Sequence, residues 1–277
     1  VRNDPREPRS DGDADFVVGT LAEAMEIMRF GLPLPVGKLP GDLLEKGLAG
    51  IVREDPALLV GAAVGEDAAA IDVEETQVLV AASDPITLAS DSMARYAVLT
   101  NANDVAASGA VPQWLLSTLL FPPGCSASEA LSVIDDVREA CAACEVALCG
   151  GHTEISDAVS RPVIVGTMLG TVTRERLIDK RRMKEGDRLL LTKGVAVEGT
   201  ALLAREHRSR LLAAGVGVDE IEEARTFLDR IGILEEARIA GSFDGVTALH
   251  DVTEGGLATA VRELGAAGGR RLRLHME

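Results

Sequence analysis

Apolar residues change their spacing several times along this chain, and each change predicts a different element. Residues 1–15 are polar and rich in Asp and Pro, so they read as a disordered tail. Leu21, Met25 and Met28 then fall at helical spacing, predicting a short amphipathic helix over 16–30 that Gly31-Leu32-Pro33-Leu34-Pro35 ends. A second helix is expected from Pro40, with Leu43, Leu44, Leu48 and Ile51 as its buried stripe; proline is well placed in a first turn. Short apolar runs at 78–82, 114–120, 162–172 and 188–192 predict strands. Helical stretches at about 91–108 and 128–144 lie among them, an alternation that belongs to an α/β or α+β arrangement.

A cluster of charge at 173–184, with Arg174, Arg176, Lys180, Arg181, Arg182 and Lys184, marks a domain boundary. The chain thus divides into a tail and short helix (1–30), an N-terminal domain (31–173) and a C-terminal domain (174–277). Beyond the boundary the pattern predicts helices at 198–207 and 218–240 and a strand at 246–249. A helix is expected just after Thr253, and strand-like residues run from 270 to 275. A C-terminal domain of about 100 residues that stops on a strand reads as incomplete.

Composition narrows the function. Hydrophobic residues make up 47% of the chain but aromatics only 3%, so Ala, Val, Leu and Ile must build the core. A formal net charge of −16 excludes nucleic acid as the expected partner. The basic run Arg270-Arg271-Leu272-Arg273 alternates with apolar residues and reads as a strand edge. A nucleotide is still compatible, because metal ions offset the repulsion between carboxylates and phosphates. No apolar stretch reaches the roughly 20 residues of a membrane span, and no signal-peptide core precedes the first helix, so a cytoplasmic protein is expected. Cys125, Cys141, Cys144 and Cys149 crowd together. With no second close ligand pair beside Cys141 and Cys144, small buried thiols are the favoured reading over a zinc or redox site.

Four acidic, glycine-punctuated segments carry the candidate chemistry: Gly65-Glu66-Asp67-Ala68-Ala69, Ser83-Asp84-Pro85-Ile86, Asn101-Ala102-Asn103-Asp104 and Gly150-Gly151-His152-Thr153-Glu154. Magnesium takes hard oxygen ligands, commonly one or two carboxylates plus phosphate oxygens. Asp67, Asp84 and Asp104 supply such ligands if the fold gathers them. Gly150 and Gly151 let backbone N–H groups approach a phosphate. Lysine occurs only at positions 38, 46, 180, 184 and 193. Lys38, after Gly37, suits a point charge on a phosphate. A fifth segment, His250-Asp251-Val252-Thr253-Glu254-Gly255-Gly256-Leu257, opens a helix whose N-terminus can face an anion or a metal–anion pair.

Taken in order, these five segments resemble the aminoimidazole ribonucleotide synthetase-like superfamily. Its branches include thiamine-monophosphate kinase, selenophosphate synthetase, formylglycinamidine ribonucleotide amidotransferase and the hydrogenase-maturation carbamoyl dehydratase. The resemblance runs from about Leu34 to Leu257. It implies a two-domain α+β fold whose N-terminal domain joins a second copy in a dimeric β-barrel, with the C-terminal α/β domain alongside. It further implies ATP and Mg2+ as cofactors, with Asp67, Asp84 and Asp104 on the metal. Nucleotide contact falls to Lys38, Glu66, Asn103, Gly150, Gly151, His152 and Thr153; Lys38 closes over the phosphates, and His250 and Asp251 line the acceptor side.

The His-Asp-x-Thr-x-Gly-Gly-Leu form of the fifth segment is similar to the hydrogenase-maturation branch, whereas Gly151-His152-Thr153-Glu154 leans toward the purine-synthesis enzymes. The maturation branch uses a C-terminal cysteine, and this sequence ends Leu274-His275-Met276-Glu277. The selenophosphate branch uses a cysteine in the loop near Lys38, where this sequence has none. The leading expectation is therefore a synthetase-related, ATP- and magnesium-dependent enzyme. It would activate an amide or phosphate-acceptor oxygen by phosphoryl transfer on an unknown small-molecule or carbamoyl acceptor. The alternatives are a maturation-type carbamoyl dehydratase and a non-catalytic nucleotide-binding subunit.

Overall fold

The computed structural model describes residues 20, 56–60, 63–66, 68–73 and 76–274. The helices expected at 16–30 and from Pro40, together with Lys38 and Asp67, lie outside the described residues. A mixed sheet of seven strands organises the first part: β1 Leu58–Val60, β2 Ala69–Asp72, β3 Gln77–Ala82, β4 Pro85–Ile86, β5 Val111–Phe121, β6 Ala147–Ile155 and β7 Val163–Thr173. The order is β1-β2-β3-β7-β5-β6, with β4 paired to β7. Every pairing is antiparallel except β5 with β6. Parallel neighbours need a crossover, which helix α2 (Ala127–Ala143) provides. Among the described residues the sheet does not close on itself.

Strand alternation decides which face is covered. Along β7, Ile164, Gly166, Met168, Gly170 and Val172 are buried, while the intervening residues from Val163 to Thr171 are half-buried. The buried face lies under helix α1 (Met93–Ala107). Thirteen residues of α1 are buried, so this helix shows no solvent face wide enough to be called amphipathic. Alanines at 94, 97, 102, 106 and 107 keep it slim, and Gly170 lets it approach: a Cβ there would stand 2.6 Å from Val105 Cγ1. Helix α2 starts from a reciprocal cap. Ser126 Oγ accepts the Glu129 N–H at 3.2 Å, and the Glu129 carboxylate accepts the Ser126 N–H at 2.7 Å.

Beyond Thr173 the described residues contain helices only: α3 Val197–Glu206, α4 Arg208–Ala213, α5 Val218–Arg225, α6 Leu234–Gly241 and α7 Gly256–Ala267, with 3-10 turns at Lys180–Arg182 and Thr226–Arg230. Four expectations are corrected here. Residues 188–192, 246–249 and 270–274 form no strand. An apolar run supplies the side-chain pattern of a strand, but strand structure also needs a neighbour to complete the ladder. Leu189, Leu190 and Leu191 are instead 44%, 89% and 48% exposed. The single helix expected over 218–240 is broken by the 3-10 turn and by the non-helical Ile231-Gly232-Ile233. No helix among the described residues is long and apolar enough to cross a membrane.

Polar ties join the helical part to α1. The Glu206 carboxylate accepts from Ser90 N, Ser90 Oγ and Asp91 N at 2.6, 2.5 and 2.9 Å. Arg205 donates to Asp91 at 2.6 Å, and Arg95 to Asp229 at 2.8 Å.

Candidate functional site

Asp84 follows the end of β3 and is held through its backbone. Asn101, fully buried in α1, accepts the Asp84 N–H at 2.9 Å on Oδ1 and donates from Nδ2 to the Asp84 carbonyl at 3.2 Å and the Ala97 carbonyl at 2.8 Å. Asp104 is buried about one turn further along the same helix. Thus Asp84 and Asp104 sit on two elements that one side-chain amide fastens together. The sequence reading passed over Asn101 itself. Its signal was available: asparagine is a poor residue for a helix interior unless its amide has a particular task.

A row of small residues crosses the sheet from this point. Gly166 N donates to Asp84 O at 3.0 Å, and Ser83 Oγ donates to Gly166 O at 2.7 Å. Gly166 is opposite Ser117 on β5, and Ser117 is opposite Gly151 on β6. Gly150 and Gly151 lie within strand β6, at φ 138° and 143°, and not in a turn. A Cβ on Gly151 would come within 1.8 Å of Ser117 O, so no other residue fits this approach. The register slips between Leu115 and Leu116, whose partners are Leu148 and Gly150. Cys149 is the extra residue, and such bulges re-aim the strand that carries them. His152, Thr153 and Glu154 are exposed on this edge strand, with His152 Nε2 3.4 Å from Glu154 Oε2.

A second cluster forms around the fifth segment. The His250 side chain is 5% exposed, with Nδ1 3.4 Å from Asp251 Oδ1 and Nε2 3.4 Å from Glu263 Oε2. Asp251 Oδ2 is buried without a hydrogen-bond partner among the described residues. The first acidic loop reaches the same place. A Cβ on Gly65, at φ +87°, would lie 2.3 Å from the Glu263 carbonyl oxygen. Beside it the buried Lys180 ammonium donates to Gly65 O at 2.8 Å and stands 3.7 Å from Glu66 Oε2. A buried ammonium is tolerable only with such partners. The sequence reading took Lys38 from the five lysines; the structure gives Lys180 a defined place beside Glu66.

Asn103 is buried on α1 but engaged elsewhere: Nδ2 donates to Ile231 O at 3.0 Å, and Oδ1 accepts the Ile233 N–H at 2.9 Å. It borders a cavity of about 390 Å3 that His250, Asp251, Lys193 and Glu236 also line. Lys193 there pairs with Glu236 at 3.1 Å and donates to Gly232 O. One void thus touches both the helix of Asp104 and the His250–Asp251 pair.

Magnesium suits part of this donor set. Carboxylates are the hard ligands it takes, and two of them with phosphate oxygens suffice; Asp84 and Asp104 fit in kind. Among the described residues no group of three His, Cys, Asp or Glu side chains is placed to hold a metal, and Asp67 lies outside them. The cysteines are free thiols. Burial pushes Cys141 up to about 11 and raises Cys144 as well, and Cys149 is exposed. Thiols raised in this way, as Cys141 and Cys144 are, make poor nucleophiles.

With the geometry in place, the chain was compared with known proteins. Residues 65–172 match the family described as AIR synthase related protein, N-terminal domain, and residues 184–277 match the corresponding C-terminal domain. The selenide, water dikinase of Pseudomonas aeruginosa is 30% identical over 266 residues, covering 93% of this chain and 73% of that protein. A Methanocaldococcus jannaschii protein named for hydrogenase expression and formation is 29% identical over 181 residues, 65% of this chain and 51% of its own length. The chain spans 51–66% of the first curated relatives it matches. Among solved structures, AaThiL complexed with AMPPCP and TMP superposes with a TM-score of 0.63 at 17% identity, covering 85% of this chain and 74% of that one. That likeness establishes the fold, a two-domain α+β arrangement.

Proposed function

Because the chain belongs to the AIR synthase-related family, we propose that it is an ATP- and Mg2+-dependent enzyme that activates an acceptor oxygen by phosphoryl transfer. Relatives named dikinase, and a fold neighbour solved with AMPPCP, support nucleotide use. In this reading Asp67, Asp84 and Asp104 hold the metal. Lys38, Glu66 and the segment Gly150-Gly151-His152-Thr153 attend the nucleotide. His250 and Asp251 face the acceptor, an amide or a phosphate acceptor. The metal, when bound, supplies neutralisation of charge on the transferred phosphoryl group. The protein's own part is to hold carboxylates on rigid elements, as Asn101 does for Asp84, and to keep the acceptor end dry, as the burial of His250 and Asp251 implies.

One observation carries the proposal: a single cavity borders both α1, the helix of Asp104, and the His250–Asp251 pair. Titration of ATP by calorimetry, with and without Mg2+, tests it. Wild-type protein is expected to bind only with the metal, and Asp84→Asn to lose that binding at least tenfold while keeping its unfolding midpoint. Equal binding by the variant would remove Asp84 from the metal.

The His250-to-Leu257 segment and the M. jannaschii relative favour one second reading, dehydration of a carbamoyl group to a nitrile. Under it, ATP turnover rises with an acceptor that carries a carbamoyl group and not with phosphate acceptors. In either reading the working unit is a homodimer in the cytoplasm, joined through the sheet face that points away from α1.

A further inference from the structure

Asn103 lies in the Asn-Asp motif, where a nucleotide contact is expected, yet its amide is engaged by the chain's own backbone. Both ends of the side chain are spent on backbone about 130 residues distant: Nδ2 on the Ile231 carbonyl at 3.0 Å and Oδ1 on the Ile233 N–H at 2.9 Å. The residue is 3% exposed, and the segment it grips is the break between the 3-10 turn and α6. Ile233 is the residue that caps α6, and its N–H has no place in that helix's own ladder. A buried amide that satisfies one donor and one acceptor in this way fixes both distance and angle.

Asn101, two residues earlier, grips the opposite side. At about 100° per residue the two amides point about 200° apart around α1, with Asp104 about 60° from Asn101 and about 100° from Asn103. We infer that α1 is a spacer with a clamp on each side, and that Asn103 is a positioning residue and not a nucleotide contact. It holds the Ile231–Ile233 wall of the cavity at a fixed distance from Asp104. His250 and Asp251 line the same cavity, so the clamp bears on the separation between the metal side and the acceptor side. A further support lies on the same segment: Lys193 donates to Gly232 O and pairs with Glu236, and Arg230 donates to Lys193 O at 3.0 Å. The segment is thereby gripped from two directions: Asn103 holds it to the helix of Asp104 by hydrogen bonds, and Leu99 of the same helix packs beside Gly232.

The inference rests on the nucleotide reading for its kinetic consequence but not for its geometry, and two measurements on the full chain separate them. Amide hydrogen exchange at Ile233 reads the clamp directly. In Asn103→Leu, which keeps volume but cannot accept, exchange at Ile233 is expected to quicken at least tenfold. Steady-state turnover of MgATP reads the positioning role: kcat falls at least tenfold while KM for ATP stays within threefold. If Asn103→Leu does not fold, Asn103→Asp keeps the acceptor for Ile233 and loses only the donor to Ile231. It should leave Ile233 protected and still lower kcat alone. Unchanged exchange in Asn103→Leu overturns the clamp. A raised KM with kcat preserved, in either variant, overturns the positioning role in favour of nucleotide contact. Failure of the wild type to bind MgATP overturns the nucleotide reading instead, and Ile233 exchange then decides the clamp by itself.

Discussion

Gly166 sits so close beneath Asn101 that a Cβ would lie 2.5 Å from Nδ2 and 2.8 Å from Cγ. A flexible side chain would swing aside, but this amide is tied to Asp84 through two bonds and to Ala97 through a third. Gly166→Ala must therefore break the clamp or push α1 off the sheet. The expected cost is about 1–3 kcal/mol, the usual range for overpacking a tight core, read as a lower urea midpoint. Nucleotide binding should weaken along with it, because the Asp84 loop loses its anchor. Retained stability with retained binding would show that Asn101 does not position Asp84. The sequence made Asp84 and Asp104 legible as carboxylates beside turn residues, but not Asn101, Lys180 or Glu263. Their importance comes from neighbours 17, 115 and nearly 200 positions away, and no local pattern records such pairings.

Elements differ in how much of their cause is local. Strands β3, β5 and β7 were readable because they have neighbours to pair with, so their alternation met a real ladder. The run at 188–192 has the same side-chain chemistry without the neighbour and stays out of any sheet. Helix α1 was readable in extent yet not in manner of start, for the two residues before its N-cap, Ser92, are tied down from outside. Residues Ser90 and Asp91 give their N–H groups to Glu206 of α3. Burial pushes the Glu206 carboxyl upward, but the bonds from Ser90 Oγ, Asp91 N and Ser90 N outweigh it and hold the group below its ordinary 4.5. A depressed carboxyl stabilises the fold above its unfolded value, and this contribution fades as pH falls through the lower folded value. Glu206→Gln should then cost stability at pH 7 and less at pH 3. The gap between wild-type and variant urea midpoints narrows on acidification. A gap that is constant with pH would mean that this tie does not depend on the charge.

At the scale of the whole molecule, the α+β class, the two-part organisation and the family were legible because five short segments kept their order, which single motifs cannot convey. What the pattern could not supply is where a second copy would sit. The sheet answers part of that. Its face away from α1 carries Leu79, Val165, Leu169, Leu116, Leu120 and Trp114, half-buried or exposed, with Trp114 at 38% and Leu116 at 42%. These residues come from adjacent strands β3, β7 and β5, so the apolar surface is contiguous and not scattered. With a net charge of −16, two copies repel at long range; association through this face therefore requires apolar burial to exceed that repulsion, and added salt should strengthen it. Sedimentation at micromolar concentration is expected to give a dimer, tighter at 0.5 M than at 0.05 M NaCl. Leu116→Glu places a charge in the centre of the patch and should give a monomer with its secondary structure intact. A wild-type monomer at both salt concentrations would refute the sheet-face dimer. A dimer unaffected by Leu116→Glu would move the interface elsewhere on the molecule.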